Sequence, residues 1–249
     1  MTDLRVLAID TANQPLSAAV SEDDTVLGTV TLNMRRTHSQ TLLPVISDLL
    51  ERTATPVEKL ERVAVTSGPG SYTGVRIGVT TAKTLAWTLG LPLVATTSLH
   101  LLAGNIAADD PRLIISLIDA RHENVYAGVY QWVPETAASG PQNVLLPHHT
   151  PLAELLPGIA ALQQPAIVVG TIPVAYQEHM RSVLGSQVSF ADSLTALPST
   201  ARLALWAPAM TPVADIHNFV PTYYRQTQAE LEWRQYHDDA GHAPYVEEV

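Results

Sequence analysis

The chain has 249 residues, of which 46% are hydrophobic and 15% charged, a composition typical of globular proteins with a substantial core. Cysteine is absent, which excludes disulfides, thiolate zinc sites, iron–sulfur clusters and a cysteine nucleophile. The formal net charge is −10, and residues 226–249 contribute half of it, with six acids and one base. Because non-specific nucleic-acid binding needs a basic surface, we expect any contact with RNA to be indirect.

A membrane-spanning helix needs about 20 apolar residues, and no apolar run of the sequence approaches that length. The first residues, Met1-Thr-Asp-Leu-Arg-Val, enter a predicted strand without an apolar signal region. We therefore expect a soluble, cytoplasmic protein that makes no contact with a membrane.

The N-terminal part of the chain alternates between strand and helix patterns. Short apolar runs between turn-forming residues predict strands at 4–9, 16–20, 26–32, 63–66 and 93–95. Apolar residues at helical spacing predict helices at 38–52, 75–89 and 98–107. A further helical turn is predicted near Thr55, with Glu58 in a capping box, and Ser98 is expected to cap the third helix.

A similar order of patterns restarts after residue 112. Strands are predicted at 113–118 and 125–132 around an Asp119 turn, an arrangement like that of Ile9 and Asp10 near the start. A surface loop at 134–141, a strand at 167–169 and helices at 174–183 and 199–206 follow. The repetition predicts two related α/β halves, and the tail after residue 225 is predicted to contribute little to a core.

The strongest local motif is Ser-Gly-Pro-Gly-Ser-Tyr-Thr-Gly-Val-Arg-Ile-Gly at 67–78, between a predicted strand and a predicted helix. Glycines permit close backbone approach, and the N–H groups at a helix start attract anions. Two interpretations stay open: an anion-binding loop, or a tight turn that binds nothing. The glycine spacing and the absence of a Gly-Lys-Ser/Thr ending exclude a P-loop and a dinucleotide fingerprint. The residues that could lie near an anion or nucleotide are Asp10, Thr11, Gly68, Gly70, Ser71, Thr73, Gly74 and Arg76.

The sequence offers little for metal or hydrolytic chemistry. No two of its nine histidines are three or four residues apart, so no helix face presents a pair of histidine ligands. His38 precedes a helix and is interpreted as a cap or hinge residue. No serine lies in a Gly-x-Ser-x-Gly elbow, and an aspartate at a strand end, such as Asp10, is more often a turn former than a ligand. We predict no metal site and no catalytic residue.

Two of the predicted helices carry apolar stripes. The default interpretation is that each stripe packs on the chain's own sheet. The stripe of the helix at 38–52 is wide for one-sided packing, however, and the helix at 75–89 is rich in small residues, so together they could form half of an inter-subunit helix bundle. The candidate partner-interface residues are Leu42, Leu43, Ile46, Leu49, Leu50, Val75, Val79, Ala82 and Ala86.

Five segments of the chain together resemble the TsaB/TsaD family, also called glycoprotease M22-like. They are Ile9-Asp10-Thr11, His38-Ser-Gln-Thr-Leu-Leu-Pro44, the motif at 67–78, Asp119-Ala-Arg121 with Val125-Tyr126, and Pro221-Thr-Tyr-Tyr-Arg225. The resemblance covers residues 1 to about 230. It implies a two-lobed α/β fold of the actin/hsp70/sugar-kinase (ribonuclease H-like) type, with lobes at 1–108 and 109–225 and an acidic tail at 226–249.

The resemblance also implies a function in the threonylcarbamoyl modification of adenosine next to the anticodon, in tRNAs that read codons beginning with A. In that pathway TsaC makes threonylcarbamoyl-adenylate and TsaD transfers the group to tRNA. A non-catalytic family member pairs with and activates TsaD through its two N-terminal helices, together with the ATPase TsaE, and forms a homodimer when TsaD is absent. The resemblance implies that such a subunit contacts tRNA only through the complex and holds no cofactor tightly by itself, with ATP or ADP at the joint with TsaD.

Two other functions stay open. The first is a small-molecule kinase or ATPase of the same fold, which would need a phosphate-binding glycine in the first hairpin; this hairpin reads Asp10-Thr11-Ala12-Asn13. The second is a peptidase, as the older family label suggests. The transferase members of the family carry a His-x-x-x-His metal motif, which this sequence does not contain.

Overall fold

The computed structural model describes residues 4–34 and 38–224. In these ranges the chain forms two five-stranded sheets with helices on their faces. The strands of the first sheet are β1 (Arg5–Asp10), β2 (Leu16–Glu22), β3 (Thr25–Leu32), β4 (Arg62–Thr66) and β5 (Leu93–Thr96). Those of the second sheet are β6 (Leu113–Asp119), β7 (Asn124–Gln131), β8 (Gln142–Pro151), β9 (Ala166–Val169) and β10 (Val188–Phe190).

The two sheets have the same strand order. The first runs β3-β2-β1-β4-β5 and the second β8-β7-β6-β9-β10. In each, three strands form an antiparallel meander, and two further strands continue from the first of the three in parallel. This equivalence confirms the predicted two-lobed α/β fold with related halves.

Within the described ranges, six α-helices connect and cover the strands. They are α1 (His38–Arg52), α2 (Tyr72–Leu89), α3 (Ser98–Ala103), α4 (Leu152–Ala161), α5 (Val174–Leu184) and α6 (Thr200–Trp206). Helix α2 begins at the N-cap Ser71 and ends at Gly90, whose φ of 67° places it in the left-handed region where glycine is favoured. The structure describes no helix that is long and apolar enough to cross a membrane within these ranges.

The central strand β1 is buried on both faces of the first sheet. Leu7 and Ile9 lie in the core formed with α1 and α2, whereas Val6 and Ala8 lie in a second core with α3 and α6. The apolar run of β1 is therefore that of a strand covered on both sides. Helix α6 packs on the first sheet, although the sequence analysis assigns residues 109–225 to the second lobe. The predicted domain boundaries stay a prediction.

Several predicted elements differ from the structure in detail. Helix α2 starts three residues earlier than predicted, and α3 is capped by the side chain of Thr97, not by Ser98, and ends at Ala103. The turn predicted near Thr55 is a single 3-10 turn at Val57–Lys59 without a side-chain cap. The surface loop predicted at 134–141 contains a 3-10 turn. The tail after residue 225 lies outside the described residues.

Candidate functional site

The glycine-rich motif lies against the turn that follows β1. The backbone N–H of Ser71 donates to the carbonyl of Ala12 at 2.6 Å, and the hydroxyl of Thr11 donates to the carbonyl of Gly74 at 2.7 Å. A Cβ added at Gly70 would lie 2.0 Å from the Ala12 oxygen, and one at Gly74 would lie 2.3 Å from the Thr11 oxygen. Such separations are far below a van der Waals contact, so only glycine fits at these positions.

The glycines therefore bring the start of α2 onto the chain's own backbone. A Cβ at Gly78, one turn further along, would lie 2.4 Å from the Thr11 hydroxyl. Of the two interpretations left open by the sequence, the structure supports the tight turn, since Thr11 and Ala12 fill the close-approach surface. The Ser71 hydroxyl accepts a hydrogen bond from the N–H of Gly74 at 3.3 Å and caps the helix, while Thr73 is exposed.

Asp10 lies buried below the contact between the start of α2 and residues Thr11 and Ala12. Its carboxyl is fully buried, and Oδ1 accepts hydrogen bonds from the N–H of Ala12 at 3.0 Å and from the Thr66 hydroxyl. No group in the described ranges pairs with Oδ2. Burial raises the pKa of Asp10 above its ordinary value, although the Thr66 and Ala12 hydrogen bonds oppose that rise. The carboxyl is thus a structural group of the turn rather than an exposed ligand.

The nucleotide that this type of fold implies can be tested against these contacts. A phosphate site in the first hairpin would need open backbone N–H groups and an accessible carboxylate. Here the turn is filled by the start of α2, and Asp10 is buried. The first-lobe hairpin therefore does not fit the phosphates of a nucleotide.

Arg76 and Gly68 contact the C-terminal segment of the described chain. The Arg76 guanidinium lies 3.8 Å from the centre of the Tyr72 ring, and its Nε donates to the Tyr223 hydroxyl at 2.8 Å. A Cβ at Gly68, whose φ is 107°, would lie 2.8 Å from the carbonyl oxygen of Thr222. Arg76 thus lies against two tyrosine rings, and its position near an anion stays a prediction.

A cleft of about 600 Å³ lies between the two lobes. Its first-lobe wall includes Asn13, Gly70 and Tyr72, and its second-lobe wall includes Asp119 and Arg121. Asp119 is exposed, and its Oδ1 accepts a hydrogen bond from the N–H of Arg121 at 2.9 Å. The motifs that carry the family resemblance in the two halves thus face each other across this cleft.

The second-lobe turn has a feature that the sequence did not reveal. Arg121, His122 and Glu123 adopt φ values of 67°, 52° and 61°, three consecutive left-handed residues without a glycine. Such a run is rare for these residue types, and no local pattern predicts it. The backbone of Asn124 closes the turn by donating to the carbonyl of Arg121 at 3.0 Å.

Most of the predicted partner-interface residues face the interior of the chain. The seven that are buried in the first-lobe core are Leu42, Ile46, Leu49, Val75, Val79, Ala82 and Ala86. Their assignment to an interface is wrong, because an amphipathic stripe marks the face that packs on the sheet. Leu50 is half-buried, and Leu43 is 56% exposed. The exposed large apolar side chains of α2 are Tyr72 and Trp87, at 40% and 65%.

Two further residues have defined positions. The Nε2 of His38, predicted as a cap or hinge, lies 2.9 Å from the carbonyl oxygen of Asn13 and links the start of α1 to the first hairpin. The part of the chain that the structure describes contains no group of three or more histidine, aspartate or glutamate side chains arranged to hold a metal ion.

Comparison with known proteins identifies the family. Residues 25–233 match the family model described as "TsaD: tRNA N6-adenosine threonylcarbamoyltransferase". The chain is 34% identical over 238 residues to the tRNA threonylcarbamoyladenosine biosynthesis protein TsaB of Bacillus subtilis, covering 92% of this chain and 98% of that protein. It is 37% identical over 129 residues to the TsaB protein of Escherichia coli, covering 51% and 55% of the two chains.

Solved structures agree with this assignment. A Pseudomonas aeruginosa protein with similarity to the peptidase YeaZ superposes with a TM-score of 0.75 at 26% identity, covering 89% of this chain and all of that one. YeaZ from the same organism superposes with a TM-score of 0.70 at 24% identity, covering 88% and 99%. The sequence resemblance, the matched model and the shared fold agree, and the chain belongs to the TsaB/TsaD family.

Proposed function

We propose that the chain is the non-catalytic partner subunit in tRNA threonylcarbamoyladenosine biosynthesis. In this proposal it pairs with the transferase TsaD and, together with the ATPase TsaE, supports modification of adenosine next to the anticodon in tRNAs that read codons beginning with A. Family membership and the name of the Bacillus subtilis relative support the pathway. The formal net charge of −10 agrees with tRNA contact through the complex rather than through this chain alone.

The observation that carries the non-catalytic role is the filled first hairpin. Glycine positions that would allow a ligand to approach the backbone are in contact with the carbonyls of Thr11 and Ala12. Asp10 is fully buried and hydrogen-bonded to Thr66. The Asp10 carboxyl and the glycine positions of the first hairpin, which could otherwise bind a ligand, thus contribute to the packing of the first lobe itself. We propose that any ATP or ADP in the assembly lies at the joint with TsaD.

The partner surface is proposed to be the outer faces of α1 and α2. Leu43 projects from α1 with 56% of its surface exposed, and Trp87 and Tyr72 are exposed on α2. Tryptophan and tyrosine are enriched where protein interfaces are most strongly stabilised, and Leu43 adds apolar surface beside them. In the absence of TsaD, we propose that these faces pair two copies of this chain.

Reconstitution tests the proposal directly. Purified TsaD and TsaE would be supplied with tRNA and threonylcarbamoyl-adenylate, with and without this chain, and modified adenosine would be measured by mass spectrometry. We expect modification to depend on the chain, and the chain alone to yield none. Leu43→Glu provides the matched variant, since it alters an exposed side chain and should reduce pairing while the monomer stays folded. Turnover by the chain alone would contradict the proposal.

The kinase and peptidase alternatives are tested with the same preparation. Isothermal titration of ATP into the chain alone should give no tight binding, because the first hairpin is filled. Tight binding without TsaD would favour the kinase. Stoichiometric zinc or iron in the purified chain would favour the peptidase.

A further inference from the structure

The last described segment of the chain, residues 213–224, lies along α2 and is called the strap here. At one end, the N–H of Val213 donates to the carbonyl of Leu93 at 2.8 Å, just beyond the C-terminus of α2. At the other end, the N–H of Thr222 donates to the carbonyl of Ser67 at 2.7 Å, just before the helix begins. The strap therefore runs the length of α2 in the opposite direction.

The middle of the strap is attached to α2 by Lys83. Its Nζ donates to the carbonyl oxygens of His217 at 2.9 Å and Phe219 at 2.6 Å. Val213, Ile216 and Phe219 pack against the first-lobe core. The strap is thus anchored by apolar contacts beneath it and by an ammonium group that satisfies two of its carbonyls.

The N-terminal end of α2 holds the strap through Arg76. The guanidinium lies 3.8 Å from the Tyr72 ring centre and 5.7 Å from that of Tyr223. The two ring centres are 5.3 Å apart, and the Arg76 Nε donates to the Tyr223 hydroxyl at 2.8 Å. A planar guanidinium stacks on aromatic rings while it donates hydrogen bonds, so Arg76 joins helix and strap by two kinds of contact.

The exposed aromatic side chains of α2 are in ring contact with the strap at both ends of the helix. Trp87, 65% exposed, lies 5.4 Å from the His217 ring. Tyr72, 40% exposed, lies beside Tyr223. Any partner that covers the outer face of α2 must therefore also contact the strap, because the two surfaces are continuous.

We propose that the strap is a third element of the surface that binds TsaD, and that Arg76 is its positioning residue. The inference rests on the proposed function, since TsaD is its partner. The surface combines aromatic rings with arginine, the side chains that most often dominate binding free energy. By holding Tyr223 against Tyr72, Arg76 fixes the strap before binding, which reduces the conformational entropy lost on association.

Two variants and a control test this inference. Arg76→Ala removes the stacking and the hydrogen bond, and Tyr223→Phe removes only the hydroxyl that accepts from Nε. Arg181→Ala is the control, because Arg181 is exposed on α5 in the second lobe, where its guanidinium lies 4.5 Å from the centre of the Phe190 ring. Two quantities are measured for each variant. The hydrogen-exchange rate of the Thr222 amide shows how firmly the strap is held next to α2, and the Kd for TsaD measures binding. Circular dichroism establishes that each variant is folded.

We expect Arg76→Ala to accelerate exchange at Thr222 and to raise the Kd for TsaD at least about tenfold, as interface anchors do. Tyr223→Phe should shift both quantities in the same direction by less, and Arg181→Ala should shift neither. Arg76→Ala with faster exchange but unchanged Kd would overturn the inference, as would unchanged exchange. A wild-type chain that does not bind TsaD would instead contradict the proposed function itself. If Arg76→Ala does not fold, Tyr223→Phe decides the question by the same two measurements.

Discussion

In the first lobe the start of α2 covers Thr11 and Ala12 in the turn after β1, whereas in the second lobe Asp119 and Arg121 of the equivalent turn after β6 line the cleft. The strand order around the two turns is the same, and each turn begins with an aspartate. Asp10 is fully buried with a raised pKa, while Asp119 is exposed on the cleft wall. A shared topology therefore does not decide whether the turn is a packing element or a surface.

The difference follows from the residues after the next parallel strand. In the first lobe, Gly70, Gly74 and Gly78 let the start of α2 reach Thr11 and Ala12. In the second lobe only Gly170 stands at the equivalent place, where a Cβ would lie 1.9 Å from the carbonyl oxygen of Leu117. Helix α5 then begins at Val174 and contains no glycine that would let it approach the β6–β7 turn as closely as α2 approaches the first turn. Four predictions test this comparison, from the largest expected effect to the smallest.

The largest change in stability is expected where α1 packs against the core of the first lobe. Ile46 is 4% exposed in the core, so Ile46→Glu would bury a charge without a partner and cost about 4 kcal/mol of unfolding free energy or prevent folding. Leu43→Glu, on the outer face of the same helix, should change it by less than about 1 kcal/mol. Urea denaturation of both variants measures the difference. Equal losses of unfolding free energy in the two variants would contradict the assignment of Ile46 to the buried face of α1 and of Leu43 to its exposed face.

The next effect concerns the glycines that close the first turn. Gly70→Ala should reduce the free energy of unfolding by about 3 kcal/mol, because the added methyl meets the backbone oxygen of Ala12, which cannot move aside. Gly158→Ala is the control in the second lobe. Its Cβ site is open and it lies within α4, so alanine should stabilise the helix by about 0.5–1 kcal/mol. A tolerated Gly70→Ala would contradict the tight packing of α2 on the turn.

Asp10→Asn should remove a pH dependence of stability. Because burial raises the pKa of Asp10 above 3.8, the folded chain holds this proton more tightly than the unfolded chain. The stability that the proton contributes is complete below pH 3.8 and is lost as the pH rises through the folded pKa. The unfolding free energy of Asp10→Asn relative to the wild type should therefore increase over that window, and chemical denaturation at a series of pH values measures it.

The matched variant is Asp119→Asn at the second turn. Its carboxylate is exposed, so the substitution should cost less than about 1 kcal/mol of unfolding free energy at neutral pH. Parallel curves for Asp10→Asn and the wild type would contradict the assignment of a raised pKa to Asp10.

The smallest effect is expected at His100, where the lobes meet. Its Nδ1 lies 2.7 Å from the Thr96 hydroxyl, and its Nε2 donates to the carbonyl of Pro141 at 2.9 Å. Burial lowers the pKa of His100 below 6.5, so the unfolded chain binds the proton more tightly. The stability that neutral His100 contributes is present above pH 6.5 and is lost as the pH falls through the folded pKa.

His100→Gln should flatten the curve of unfolding free energy against pH within that window, between the folded pKa of His100 and pH 6.5, as measured by thermal denaturation. The comparison with wild type is made at each pH, so a uniform loss of stability does not affect the result. An unchanged slope of unfolding free energy against pH would show that another group causes the loss of stability at acid pH.

The sequence by itself determined the local elements of this protein. The spacing of apolar residues located α1, α2, the three strands of the first meander, and β6 and β7 of the second, but it did not predict β8. The 67–78 motif was placed between a strand and a helix, as observed. The repeated pattern around Asp10 and Asp119 indicated two related halves. These features depend on residues close together in the chain, whose periodicity follows from the geometry of helices and strands.

Only the tertiary structure decided which surfaces are available. Leu42 and Leu43 are neighbours in one apolar run, yet Leu42 is buried and Leu43 exposed, because the sheet covers one side of α1 alone. The burial of Asp10 depends on glycines sixty or more residues away, and the tyrosine contacts of Arg76 depend on Tyr223, 147 residues away. Such contacts arise from packing between distant segments, and no local period records them.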